Sequence, residues 1–331
     1  MKKRMAYLAV GAALALVAGA CGDSGSSIGS ADDPFRIAVV APSALNDLAF
    51  SQSIVDAVNL IQEENGGAEA VEVAITDGTF VVEDAAAAIR DYAAEGYDLV
   101  IAHGSQYGGS LELIAPDFPD TSFAWGTAGD TFGLTNVFAY EAASDEGGYV
   151  LGAMAAALTS SGIIGVVGPI EVGDAALYVD GFKAGAEAGG ATVNVNYIGS
   201  FSDVALAAEA AEAHAAAGAD VMSGTAQMVV GAIGVADREG ALWFGTQANQ
   251  TELAPTIVVA SQVYKWDVVL QDILDLIQDG TLGGQAFVID LDNGGEVIEY
   301  NDGYDLPDDV KKLAEDTIDG IKDGSISTGT G

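Results

Sequence analysis

Past residue 34 the chain alternates short, continuous apolar runs with longer stretches in which apolar residues recur every three or four positions. The first kind reads as buried strands and the second as helices with one apolar face. Arg36–Val40 is predicted as a strand. Ser51–Glu64 is predicted as a helix that turns Ile54, Val58 and Ile61 to one side. Val71–Ile75, Leu99–Ala102, Ser122–Trp125 and Val137–Tyr140 are further strands. Glu83–Glu95 and Gly109–Ala115 are helices, the second ended by Pro116.

The rhythm then restarts. Asp145–Thr159, Ala175–Ala188, Val204–Ala217, Met228–Glu239 and Lys265–Gln278 have helical spacing. Ile163–Val167, Val193–Ile198, a run near Val221, Leu242–Gly245 and Thr256–Ala260 have strand character. Ala286–Leu291 and Glu296–Tyr300 flank Asp292-Asn293-Gly294-Gly295, which is a hairpin signal. Pro307 opens a final helix that reaches Ile321. Alternating strands and helices with continuously apolar strands predict α/β lobes, each a doubly wound parallel sheet covered on both faces. Two successive runs predict two lobes. Open parallel sheets bind ligands at the carboxyl ends of their strands, so facing lobes place a cleft between them.

Charge narrows the function. The chain has 331 residues, with 49 Asp and Glu against 11 Lys and Arg, a net charge of −38. Neutralising phosphates is not open to such a surface, so nucleic acid is excluded as a partner. Attraction to anionic lipid head groups is excluded for the same reason. The acids are scattered, which describes a hydrated acidic surface and not a disordered tail.

The N-terminus has its own pattern. Lys2, Lys3 and Arg4 precede an uncharged, mostly apolar run from Met5 to Ala20. At 16 residues the run is short for a membrane span, which needs about 20. A basic start, an apolar middle and small residues at the exit describe an export signal. Val17-Ala18-Gly19-Ala20-Cys21 resembles the bacterial lipoprotein box. That resemblance implies cleavage after residue 20 and lipidation of Cys21, followed by a flexible tether over 21–34. A cleaved secretory signal with an incidental cysteine and an uncleaved anchor are the alternatives. Cys21 is the chain's one cysteine, so no disulfide framework exists.

Absent motifs remove several chemistries. There is no GxxxxGK[ST] loop, no GxGxxG and no GxSxG elbow between a predicted strand and a predicted helix. Two histidines and one cysteine cannot build a His/Cys metal cluster, so no metal and no cofactor is expected. His214, in an Ala-rich helix, reads as incidental. His103 ends a strand at the cleft edge and is either a ligand contact or a satisfied strand-end histidine.

The loops after the strands carry the candidate binding groups. Asn46, Asp47 and Phe50 follow the first strand; His103 and Tyr107 belong to the loop after the third. In the second half, Phe201 and Asp203, then Gln227, then Gln247 hold equivalent places, and Trp266 follows the last strand of that run. Aromatic rings interleaved with amides, hydroxyls and carboxylates suit a neutral, ring-bearing, hydroxyl-rich small molecule.

Several stretches together resemble one family. They are Asn46-Asp47-Leu48-Ala49-Phe50-Ser51-Gln52-Ser53, Tyr97-Asp98-Leu99-Val100-Ile101-Ala102-His103-Gly104 and Phe118-Pro119-Asp120-Thr121-Ser122-Phe123-Ala124. Glu146-Gly147-Gly148-Tyr149-Val150-Leu151-Gly152, Gly181-Phe182-Lys183-Ala184-Gly185-Ala186, Gly199-Ser200-Phe201-Ser202-Asp203 and Gly218-Ala219-Asp220-Val221 continue the series. In this order they resemble the basic membrane protein family, lipoprotein receptors of ABC importers, many of which bind purine nucleosides. The resemblance covers about residues 35 to 324.

It implies a type I periplasmic-binding-protein-like fold, with two lobes joined by three crossings at a hinge. The expected division is 35–138 with 261–283 for lobe 1, 139–260 with 284–325 for lobe 2, and a tail at 326–331. It implies a monomeric, lipid-anchored, extracytoplasmic receptor whose partners are a nucleoside-like ligand, an ABC permease and, through the lipid, the membrane. Carried over, Asn46 and Asp47 hydrogen-bond the ligand, Phe50 stacks on one face of its base and an aromatic near Phe201 on the other. Gln227 and Gln247 lie in loops that add contacts from the second lobe. Gly109 stands where the family often has aspartate, and Tyr264 where it often has lysine; Trp266 is an alternative ring contact. An exported hydrolase built on Asp47, His103 and Asp203, or a sensor for a membrane signalling partner, would be the other classes.

Overall fold

The computed structural model describes residues 28–329. The signal run, Cys21 and the first part of the tether lie outside the described residues. The first half runs β1 (Phe35–Val40), α1 (Phe50–Glu64), β2 (Val71–Thr76), α2 (Val82–Ala94), β3 (Leu99–His103), α3 (Gly108–Ile114), β4 (Ser122–Gly126) and β5 (Val137–Ala142). The second half runs α4 (Ser144–Leu158), β6 (Ile163–Gly168), α5 (Gly173–Ala188), β7 (Thr192–Tyr197), α6 (Val204–Ala216), β8 (Val221–Gly224), α7 (Val229–Glu239), β9 (Leu242–Gln247) and β10 (Val258–Tyr264). The chain closes with α8 (Asp267–Gln278), β11 (Ala286–Ile289), β12 (Glu296–Tyr300) and α9 (Asp308–Lys322).

Two six-stranded sheets form, in the orders β11-β5-β4-β3-β1-β2 and β12-β10-β9-β8-β6-β7. All pairs in the first sheet are parallel. In the second only β12, beside β10, is antiparallel. The central strands are mostly apolar because both faces are covered. Ile37 and Val39 of β1 pack with Ile54, Val58 and Ile61 of α1 and with Val269 and Ile273 of α8. Their neighbours Ala38 and Val40 point the other way, to Ala85 and Ile89 of α2 and Leu111 of α3. The second sheet repeats the plan. Ile164 and Val166 face Leu151 of α4 and Phe182 of α5, and Val167 and Trp243 face Ala211 of α6 and Ile233 of α7.

α4 and α5 approach closely through glycine. A Cβ on Gly152 would fall on the carbonyl oxygen of Phe182, and one on Gly185 on that of Tyr149.

The pairing corrects one expectation. Ala286–Ile289 is parallel to β5 in the first sheet, and Glu296–Tyr300 joins β10 in the second. Asp292-Asn293-Gly294-Gly295 therefore lies in a passage between the sheets and is not the turn of a hairpin. The expected division put the segment from 284 onward wholly in lobe 2, whereas its strand β11 sits in the first sheet. β5 extends in the first sheet to Ala142, β10 in the second to Tyr264, and α8 packs on the first sheet. The chain thus passes between the sheets at Ala143, at Lys265–Trp266 and at Asp290–Gly295. Turn chemistry is local, and it does not reveal which sheet receives the strand that follows.

Candidate functional site

The carboxyl ends of the two sheets face one another, and a cavity lies between them. Its walls come from both sheets, at the strand ends where open parallel sheets bind ligands. The first-sheet side is built by Pro42, Phe50, Phe80, Ser105, Gln106 and Thr127, all in loops or at helix starts after strands. The opposite side is built by Val172, Asp174, Ala175, Phe201, Ala226, Gln227 and Gln247. Both sides contribute an aromatic ring and polar side chains. None of the lining residues is basic.

Phe50 opens α1 and is held from behind. Its ring stacks on His103 with centroids 3.9 Å apart and planes 16° from parallel. His103 is fully buried. Its Nε2 lies 3.2 Å from the carbonyl oxygen of Phe50 and its Nδ1 2.7 Å from the Tyr140 hydroxyl. A carbonyl only accepts, so Nε2 carries the proton and Tyr140 donates to Nδ1. Burial pushes the imidazole down to about 3, so the ring is neutral. His103 is a wall behind Phe50 and has no face on the cavity.

Asp47 ties down the loop that leads into α1. One carboxylate oxygen accepts from the backbone N–H of Ala49 at 2.9 Å and of Gln52 at 3.0 Å. The other accepts from Ser51 N–H at 3.1 Å and the Ser43 hydroxyl at 2.5 Å. These orphan donors at a helix start need acceptors, and Asp47 supplies them. Asn46 is exposed and off the cavity wall.

The remaining expected residues divide. Phe201, Gln227 and Gln247 stand on the wall opposite Phe50. Asp203 caps α6 by accepting from Leu206 N–H at 3.0 Å. Tyr107 is buried, with its hydroxyl donating to the Thr79 carbonyl at 2.8 Å. Trp266 is buried against Tyr140 and Tyr264, and its indole N–H donates to Ser53 at 2.9 Å. The cavity thus gathers Phe50, Phe201, Gln227 and Gln247, and the other six expected residues do not line it. His214 Nε2–H donates to the Val166 carbonyl, 3.2 Å away, inside the second lobe.

Sequence reasoning passed over Asp174. It sits in the first turn of α5 and reaches the cavity. Thr127 Oγ1 donates to it at 3.2 Å and the Tyr264 hydroxyl at 3.5 Å. Burial raises its pKa above the ordinary value. Its signal was its place, after the first strand of the second half, but one carboxylate among 49 acids does not stand out. Among the described residues no group of three or more His, Cys, Asp or Glu is arranged to hold a metal ion. Nor is any helix among them long and apolar enough to cross a membrane.

A family model described as ABC transporter substrate-binding protein PnrA-like matches residues 35–326. A purine-binding protein of Brucella abortus is 29% identical over 79% of this chain and 74% of its own length. The ABC transporter nucleoside-binding protein BmpA of Lactococcus lactis is 26% identical over 97% of this chain and 98% of its own. The solved structure of an ABC transporter solute-binding protein from Conexibacter woesei superposes with a TM-score of 0.72 at 24% identity, covering 88% of this chain and 97% of that one. The last likeness shows the fold.

Proposed function

Because this chain belongs to the PnrA-like family of ABC transporter substrate-binding proteins, we propose that its ligand is a purine nucleoside, closed between the lobes and handed to a permease. The observation that carries the proposal is that Phe50 from one lobe and Phe201 from the other line the same cavity. A planar base between two rings buries both its faces, and it does so only when the lobes are together. A ligand drives closure only by binding the closed state better than the open one, and a two-sided aromatic grip meets that condition. The amides of Gln227 and Gln247 and the Asp174 carboxyl supply the polar contacts such a ligand needs. Relatives described as purine-binding and nucleoside-binding proteins support the same ligand class.

The protein acts without catalysis in this proposal. The residues a hydrolase would use are committed elsewhere: Asp47 to the α1 loop, Asp203 to the α6 cap and His103 behind Phe50. Lipidation of Cys21 would hold the monomer at the extracytoplasmic face of the membrane, where the permease partner lies. Titration calorimetry with adenosine, inosine and guanosine tests the ligand class. The expected result is 1:1 binding that Phe50→Ala weakens by more than about tenfold, the scale of one lost aromatic contact. Unchanged affinity in Phe50→Ala would remove that ring from the site.

A further inference from the structure

We infer that Asp174 contacts the ligand directly, and that with Gln227 and Gln247 it forms an acceptor-rich end of the cavity that selects N–H and O–H donors on an uncharged or cationic molecule. The inference deepens the nucleoside proposal and rests on it for its probes.

Three observations carry it. The Oε1 atoms of Gln227 and Gln247 are buried and have no hydrogen-bond partner within the protein. Gln247 is only 2% exposed. Both glutamines line the cavity. Buried acceptors without partners are rare and costly, so two on one wall point to donors that arrive with a ligand.

Second, Asp174 stands on the cavity wall where both lobes reach it. Thr127 and Tyr264 donate to its carboxylate only at the long distances of 3.2 and 3.5 Å. Bonds that long are weak, and a ligand donor at ordinary distance can displace them. Thr127 follows β4 of the first sheet and Tyr264 ends β10 of the second, so Asp174 sits on the seam where the lobes meet. A ligand donor placed there would be held by both lobes at once.

Third, among the described residues no lysine, arginine or histidine lines the cavity. An anionic ligand would be buried beside a carboxyl group with no counter-charge, which is strongly unfavourable. A phosphate ester is therefore excluded, and a neutral nucleoside is admitted. The donors could be the exocyclic amine of a base or the 2′ and 3′ hydroxyls of a ribose. Both have the same chemistry at Asp174.

The test is calorimetry on the full mature protein and its Asp174→Asn variant with four probes. These are adenosine, purine riboside without the amine, 2′,3′-dideoxyadenosine without the hydroxyls, and adenosine 5′-monophosphate. Wild-type protein is expected to bind adenosine and to bind the monophosphate at least about 100-fold more weakly. Asp174→Asn should weaken adenosine by about tenfold or more, as expected for a lost bond to a charged group. The variant should be insensitive to whichever probe lacks the donor that Asp174 holds, which identifies amine or ribose as the source. Should Asp174→Asn fail to fold, Gln227→Leu removes an acceptor the protein itself does not use and must weaken adenosine too. Equal binding of all probes by wild type and variants, or tight monophosphate binding, overturns the inference and leaves the nucleoside proposal standing. Wild-type protein that binds none of the four overturns both.

Discussion

Phe50 meets the cavity with one face of its ring and His103 with the other. That arrangement makes the histidine a support whose charge state matters to the fold. In the unfolded chain its pKa returns to about 6.5. In the fold it is pushed down to about 3. The unfolded state therefore binds more protons between these values, and the stability due to a neutral His103 is full above pH 6.5 and is lost as pH falls toward 3. Against a His103→Phe variant, wild-type protein should lose on the order of 3 kcal/mol more stability between pH 7.5 and 4, read from denaturant midpoints in high salt. Parallel losses in the two proteins would contradict a buried neutral imidazole. At this scale the sequence was partly legible. Rings at strand-end loops mark themselves, so Phe50 and Phe201 could be placed. Asp47 could not be told from a ligand contact, because its partners are backbone N–H groups that converge only once α1 has formed.

Strands and helices were the most legible level. A parallel strand buried on both faces must be apolar throughout, and β3 (Leu99–His103), wholly buried, carries that signature plainly. Partnership between strands was not legible, as β11 and β12 show by entering different sheets. The small residues of α4 have a cause that only packing reveals. Gly152 faces the Phe182 carbonyl and Gly185 the Tyr149 carbonyl, so α4 and α5 touch backbone to backbone. Gly152→Ala forces the helices apart and should destabilise the protein by about 1–3 kcal/mol, although alanine is the better helix former. Chemical denaturation checks this. A variant as stable as wild type would mean that the two helices have room between them.

The whole molecule is dominated by its charge of −38. The ion pairs described, such as Arg90–Asp117 and Lys312–Asp316, are exposed and each stabilises little. Repulsion among the unpaired acids opposes the compact state, and salt screens it. Raising potassium chloride from 0.1 to 2 M should raise the melting temperature by roughly 5 °C or more, and a flat or falling curve would show that repulsion is not a major term. The two-lobed plan was legible from the restart of the strand–helix rhythm near residue 145. The occupant of the cleft is the claim on which the rest depends. The most direct measurement purifies the protein without its first 21 residues in high salt, denatures it and identifies the released small molecule by mass spectrometry. The account predicts a purine nucleoside in about equal amount to the protein. A sugar, an amino acid or a phosphorylated nucleotide in its place would contradict it.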